Sequence, residues 1–278
     1  YRNSHYDSFI DNLKDNRLIE IEKNGFIKIT KKDGGIVTIG VNNRNRIEVI
    51  KDNSIRKTGE QYLAKSEYLK QLYLPQVQEC SSGFLYYNNS LEVLEMPKLR
   101  WCKDFFLYSN EVLKQLNLPN LLSCGDYFLN STTMESIYLP LLQKCGEDFL
   151  FSALCLVKAS FPSLCECGNN FLYYSKDLEK LVAPKLRKCG NSFLYFNEKL
   201  INLFLPQLQV CGIEFLYCNS LVKKVQLDQL QACGRGFMAF NKALKEFFVP
   251  ELQECGKGFL NHNETLEKIF APNLIYCD

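Results

Sequence analysis

Thirteen cysteines and only two histidines, His5 and His262, are the residues of this 278-residue chain with the widest choice of chemistry. A thiolate can attack an electrophile, bind a metal or enter a disulfide, and each use leaves a mark in spacing. A nucleophilic cysteine needs an exposed, electropositive setting, and neither histidine belongs to a recognisable nucleophile, acid–base or zinc-ligand motif. Structural zinc sites show close pairs such as C-x2-C, whereas the nearest approach here is the single pair Cys165-Glu166-Cys167. There is no P-loop or dinucleotide-binding glycine pattern. The sequence therefore predicts no catalytic residue, no cofactor and no metal site.

The cysteines are explained by their period. Cys80, Cys102, Cys124, Cys145, Cys167, Cys189, Cys211, Cys233, Cys255 and Cys277 recur every 22 residues, with one interval of 21. The prolines Pro75, Pro97, Pro119, Pro140, Pro162, Pro184, Pro206, Pro250 and Pro272 share that period, and Asp228 fills the vacant place. Four residues beyond each of the first nine periodic cysteines stands a phenylalanine, from Phe84 to Phe259. The unit reads L-x-x-L-x-L-P-x-L-x-x-C-G-x-x-F-L-x-x-N-x-x. Nine full copies cover 69–265, a degenerate copy precedes them at 47–68, where Thr58 replaces the cysteine, and a partial copy follows at 266–278. A fixed period of this size is the signature of a solenoid, whose coils bury a hydrophobic face only by stacking.

Elementary chemistry assigns each position a part. The alternation in Leu72-Tyr73-Leu74 or Leu203-Phe204-Leu205 predicts a half-buried strand, and the proline that follows ends it without entering the ladder. The cysteine is a small hydrophobe at an inward position, so ten of the thirteen form a cysteine ladder in the core. Glycine after the cysteine, as at Gly125, Gly168 and Gly234, predicts a turn at positive φ. Phe-Leu-x-x-Asn predicts one short helical or 3-10 turn. The amides of Asn88, Asn110, Asn197, Asn219, Asn241 and Asn263 are expected to bond the turn backbone of the neighbouring coil. Cys155, Cys165 and Cys218 stand outside the row as individual thiols.

The unit resembles a leucine-rich repeat, most closely the BspA-like class, with its leucine, proline, turn and phenylalanine order. The resemblance covers 47–278 and departs from the class in carrying cysteine where isoleucine usually precedes the turn glycine. It implies an α/β repeat solenoid: a right-handed superhelix with a parallel sheet on the concave face and short helical or 3-10 turns. Residues 1–46 do not fit the period. Phe9, Ile10 and Leu13 share one face of a short helix, and Leu18–Glu22, Phe26–Thr30 and Ile36–Gly40 alternate like strands. This segment is read as a small β-rich N-terminal cap. The copy at 113–133 is one residue short, its neighbour has Ala153 where Asn is usual, and Ala159-Ser160-Phe161 replaces Leu-x-Leu, a cluster that is read either as mutational drift or as a change of coil curvature around 130–165.

With the cysteines in the core, function moves to the surface. Strand position 5 carries Tyr73, Tyr138, Phe204, Phe248 and Phe270, and outward aromatics on a sheet serve either as anchors for a protein partner, the favoured reading, or as cross-strand packing that stiffens the sheet. A second row, Tyr86, Tyr108, Phe151, Tyr173, Tyr195 and Tyr217, lies on the turn side. The function expected is a non-catalytic protein–protein interaction module working through the extended solenoid face. Two alternatives stand beside it. One is the substrate-recognition region of a larger enzyme or secreted bacterial effector. The other is a cell-surface adhesin, as the BspA-like resemblance would imply. Lys+Arg 33 against Asp+Glu 31 leaves a net charge of +2 without a basic run, which argues against nucleic acid as partner. No apolar stretch is long enough to span a bilayer. Self-association is expected at an uncapped C-terminal end. A column of thiols favours a reducing, cytoplasmic compartment of the source cell or a host, with the cell surface as the alternative.

Overall fold

The computed structural model describes residues 18–22 and 25–278, so the short helix expected around Phe9, Ile10 and Leu13 lies outside the described residues. The chain forms two compact units, Tyr1–Leu129 and Asn130–Asp278, which part inside the short copy 113–133. Both contain a parallel β-solenoid of leucine-rich coils, and the first begins with an antiparallel meander.

In the first unit, β1 (Leu18–Ile21), β2 (Ile27–Thr30), β3 (Ile36–Val41) and β4 (Ile47–Asp52) run antiparallel in sequence order. The turn glycines Gly25 and Gly34 take φ of 84° and 83°, as tight hairpin turns require. β4 pairs antiparallel with β3, Ile39 against Ile50, and parallel with Gln71–Tyr73, Ile50 against Leu72. One strand thus converts a meander into a coil stack, and its place in the degenerate copy 47–68 explains why that copy keeps Ile47 and Ile50. Val93–Glu95 and Gln115–Asn117 extend the sheet, with Leu72 and Leu94 fully buried beneath it. The short strands Glu79–Cys80, Trp101–Cys102 and Ser123–Cys124 make a second parallel row.

The second unit repeats the plan. Short strands from Lys144–Cys145 to Tyr276–Cys277 form one unbroken parallel row in which each cysteine opposes the next, as Cys167 opposes Cys189. The longer strands are split into three separate ladders: Ser136–Tyr138 with Lys158–Ser160 and Lys180–Val182, then Asn202–Phe204 with Lys224–Gln226, then Glu246–Phe248 with Lys268–Phe270.

No helix occurs among the described residues, which corrects the expected helical turns and makes the fold all-β. The Phe-Leu-x-x-Asn segment instead alternates in backbone hand. In one coil Asn170, Leu172 and Tyr174 have φ of 55°, 52° and 58°. Their N–H groups donate to Asn191, Phe149 and Tyr195 carbonyls at 2.8, 2.9 and 2.8 Å, so they point by turns to the following and preceding coils. A helix would have satisfied these groups within its own segment. A left-handed L-residue costs about 1–2 kcal/mol, and the cost is set against bonds to neighbouring coils and burial of Leu172.

The glycine expectation is corrected as well. Gly125, Gly168, Gly190, Gly212, Gly234 and Gly256 are absent from the positive-φ glycines, which are Gly25, Gly34, Gly83, Gly236 and Gly258. Close approach is what position 13 demands: a Cβ on Gly234 would lie 2.7 Å from the Gly212 carbonyl carbon and the Ile213 nitrogen. Gly234 N–H donates to the Cys211 carbonyl at 3.2 Å, carrying the short-strand row one residue further.

Candidate interaction surface

Three buried rows hold the surface in place. The repeat phenylalanines stack face to face, with Phe171, Phe193 and Phe215 at centroid spacings of 5.1 and 5.2 Å, close to the natural separation of neighbouring strands. The asparagines bridge coils as their position predicts. Asn219 Nδ2 donates to the Leu194 carbonyl at 2.8 Å, while its Oδ1 accepts the Asn197 N–H at 3.1 Å. Asn88, Asn110, Asn197, Asn241 and Asn263 make the same donation to the coil before. In the cysteine row, burial pushes the Cys80 thiol up to about 12 and raises Cys102, Cys167, Cys189 and Cys211. These are poor nucleophiles, because burial penalises the thiolate.

The thiols outside the row differ. Cys155 is exposed, Cys165 is half-buried with its Sγ 3.3 Å from the Ser163 carbonyl, and Cys218 is half-buried with its ionisation also disfavoured by burial. Cys277, although periodic, is exposed on the last coil. Among the described residues no group of three His, Cys, Asp or Glu side chains could hold a metal ion.

The strand row divides by unit. Tyr73 is half-buried, bonds Gln71 Oε1 through its hydroxyl at 3.0 Å, and has Lys51 5.1 Å above its ring. Its phenol is raised by burial and then by the nearby charge of Glu95. Tyr138, Phe204, Phe248 and Phe270 are 65, 45, 51 and 52 % exposed. Phe248 and Phe270 lie on paired strands with rings 6.3 Å apart, and Phe204 sits under Lys224 at 5.8 Å. Where the strand ladder opens between Lys180–Val182 and Asn202–Phe204, a shallow groove forms. Val182, Pro184, Ile201, Phe204 and Pro206 supply its apolar wall, and Lys158, Lys180 and Glu179 its charged rim.

The turn-side row is a packed column. Phe151, Tyr173, Tyr195 and Tyr217 stack at 4.9, 4.7 and 4.9 Å, nearly parallel and half-buried, and Tyr86 stacks on Tyr108 at 5.3 Å. Stacked rings present edges to solvent and keep their faces for each other, so this row offers less binding surface than the strand row. Sequence reasoning missed the lysines beside Phe204. The available signal was their 22-residue spacing at the strand position two before the aromatics.

No protein-family model matches the sequence, and no curated protein matches it. Among solved structures, the chain is similar to a leucine-rich repeat protein from Bacteroides ovatus at 12% identity, TM-score 0.38, covering 87% of this chain and 88% of that one. It is also similar to the pneumococcal vaccine antigen PcpA at 10% identity and TM-score 0.28, covering 84% and 93%. No helix of the described residues is long and apolar enough to cross a membrane.

Proposed function

We propose that this protein is a non-catalytic recognition module whose solenoid, of BspA-like type and stiffened by its cysteine ladder, is a scaffold for a strand-face surface that binds a protein partner. One observation carries the reading: Tyr138, Phe204, Phe248 and Phe270 share one strand position and stand about half exposed or more. Large apolar side chains in such a row, on a backbone fixed by buried rows beneath, match the aromatic anchors that dominate interface energetics. The side chains with catalytic potential support the same reading, since nine of the ten periodic cysteines are buried and burial disfavours ionisation of thiols such as Cys167. Free thiols in such number favour a reducing compartment, and a cytoplasmic location in the source cell or a host is proposed with it.

The test is affinity capture with wild type and the double variant Phe204→Ser, Phe248→Ser, both verified as folded by circular dichroism. The double variant is expected to lose partners that the wild type retains. Equal capture of the same partners by both would show that another surface binds.

A further inference from the structure

Ion pairs between equivalent positions of successive coils are a habit of this chain. Glu48 pairs with Lys70, Lys57 with Glu79, Glu92 with Lys114, Lys144 with Glu166 and Glu246 with Lys268. In the last two pairs both partners lie in neighbouring strands, where opposite charges stabilise a cross-strand pair, and in the others they lie at or beside strand ends. Lys158 and Lys180 break the habit. They oppose each other directly in parallel register, and both are exposed. Strands lie about 4.8 Å apart, and like charges placed directly opposite are destabilising. Two strands further on, Lys224 continues the position, in register with Asn202 and over the face of Phe204. Glu179 is the only carboxylate among the described residues lining the groove.

Resting on the recognition reading above, we infer that the strand face from Lys158 to Gln226 takes an acidic, extended peptide segment bearing an aromatic residue. The carboxylates of the segment supply the counter-charges that the opposed Lys158 and Lys180 lack, and its aromatic side chain lies in the groove against Val182, Ile201 and Phe204. Charge complementarity identifies the occupant: an apolar partner alone would leave the opposed lysines uncompensated, and a basic one would be repelled.

The test uses the full chain and fluorescein-labelled Gly-Asp-Glu-Phe-Glu-Asp-Gly, read by fluorescence anisotropy. Controls are the amide version, with Asn and Gln for Asp and Glu, and a version with Gly for Phe. The acidic aromatic peptide is expected to bind, and each control to bind about tenfold more weakly or worse. Raising salt from about 0.05 to 0.5 M is expected to weaken binding, because the lysines are exposed. The Lys158→Gln, Lys180→Gln double variant is expected to lose about tenfold. Lys180→Glu, which installs a pair of the Glu246–Lys268 kind, is expected to abolish binding while raising Tm, so misfolding cannot mimic the result. The inference is overturned if the acidic peptide fails to bind at millimolar concentration, if the amide peptide binds equally, or if the lysine variants leave affinity unchanged. Tighter binding of an oligo-dT probe than of the peptide overturns it in favour of a phosphate ligand. If the lysine variants still capture the partners that the Phe204→Ser, Phe248→Ser variant loses, the charge inference fails while the recognition reading stands.

Discussion

Within the second unit, the two strand rows of the same coils behave oppositely. The two-residue row holding Cys145 to Cys277 is unbroken, whereas the three-residue row is divided after Val182 and after Gln226. In the first row each cysteine opposes the next, buried in every coil but the last, and glycine follows it in every coil but the last. In the second, the outward positions change from Ser160 and Val182 to Phe204, Gln226 and Phe248. The groove lies at the first of these openings, between Val182 and Phe204. The constant row supplies rigidity and the variable row supplies chemistry.

Raising the pH attacks the constant row most strongly. Burial raises the Cys167, Cys189 and Cys211 thiols above the ordinary thiol value of about 8.5. Their stabilisation is fully present below that value, where unfolded thiols are also neutral, and is lost as pH rises toward the folded values. The unfolded state then binds fewer protons, and each such thiol removes up to about 1.4 kcal/mol per pH unit. Urea midpoints are therefore expected to fall between about pH 9 and 12. A disulfide-forming thiol reagent at pH 8 is expected to modify Cys155 and Cys277 rapidly and the buried row only after unfolding.

Truncating the core comes next. Phe193→Ala removes a fully buried ring stacked on both sides and is expected to cost about 3–5 kcal/mol by chemical denaturation. Gly234→Ala adds a single methyl where backbone approaches to 2.7 Å, at about 1–3 kcal/mol. Asn219→Ala leaves the Asn197 N–H and the Leu194 carbonyl without their partner, at about 1–3 kcal/mol, with faster hydrogen exchange at Asn197 as its local mark. At the bottom of the scale, Phe204→Ser should change stability by no more than about 0.5 kcal/mol, since its ring is exposed. A large loss of stability there would erase the contrast between the two rows.

How far the sequence could be read depends on the position. Leucine alternation before proline announced the strand at Leu203-Phe204-Leu205, and the asparagine bridges were legible because a buried amide needs partners on a neighbouring coil. The Phe-Leu-x-x-Asn segment was misread as helical because its composition suits a turn of either hand. The choice of alternating φ is made by carbonyls on adjacent coils, which no local pattern displays. The role of Gly168 and Gly234 was hidden for a related reason: a glycine needed for φ and one needed for close approach look alike in a sequence. At the surface, the aromatic row was visible, but the lysine opposition at Lys158 and Lys180 gains meaning only from register.

Residue order alone settled that this chain stacks into coils, because a 22-residue period of Leu, Pro, Cys and Phe can bury its apolar face in no other way. It also settled which residues form the core. Tertiary structure decided the hand of the turn backbone, where the strand ladder opens, and which like charges are forced together. Those outcomes follow from hydrogen bonds and distances between residues 22 apart, which exist only once one coil lies against the next.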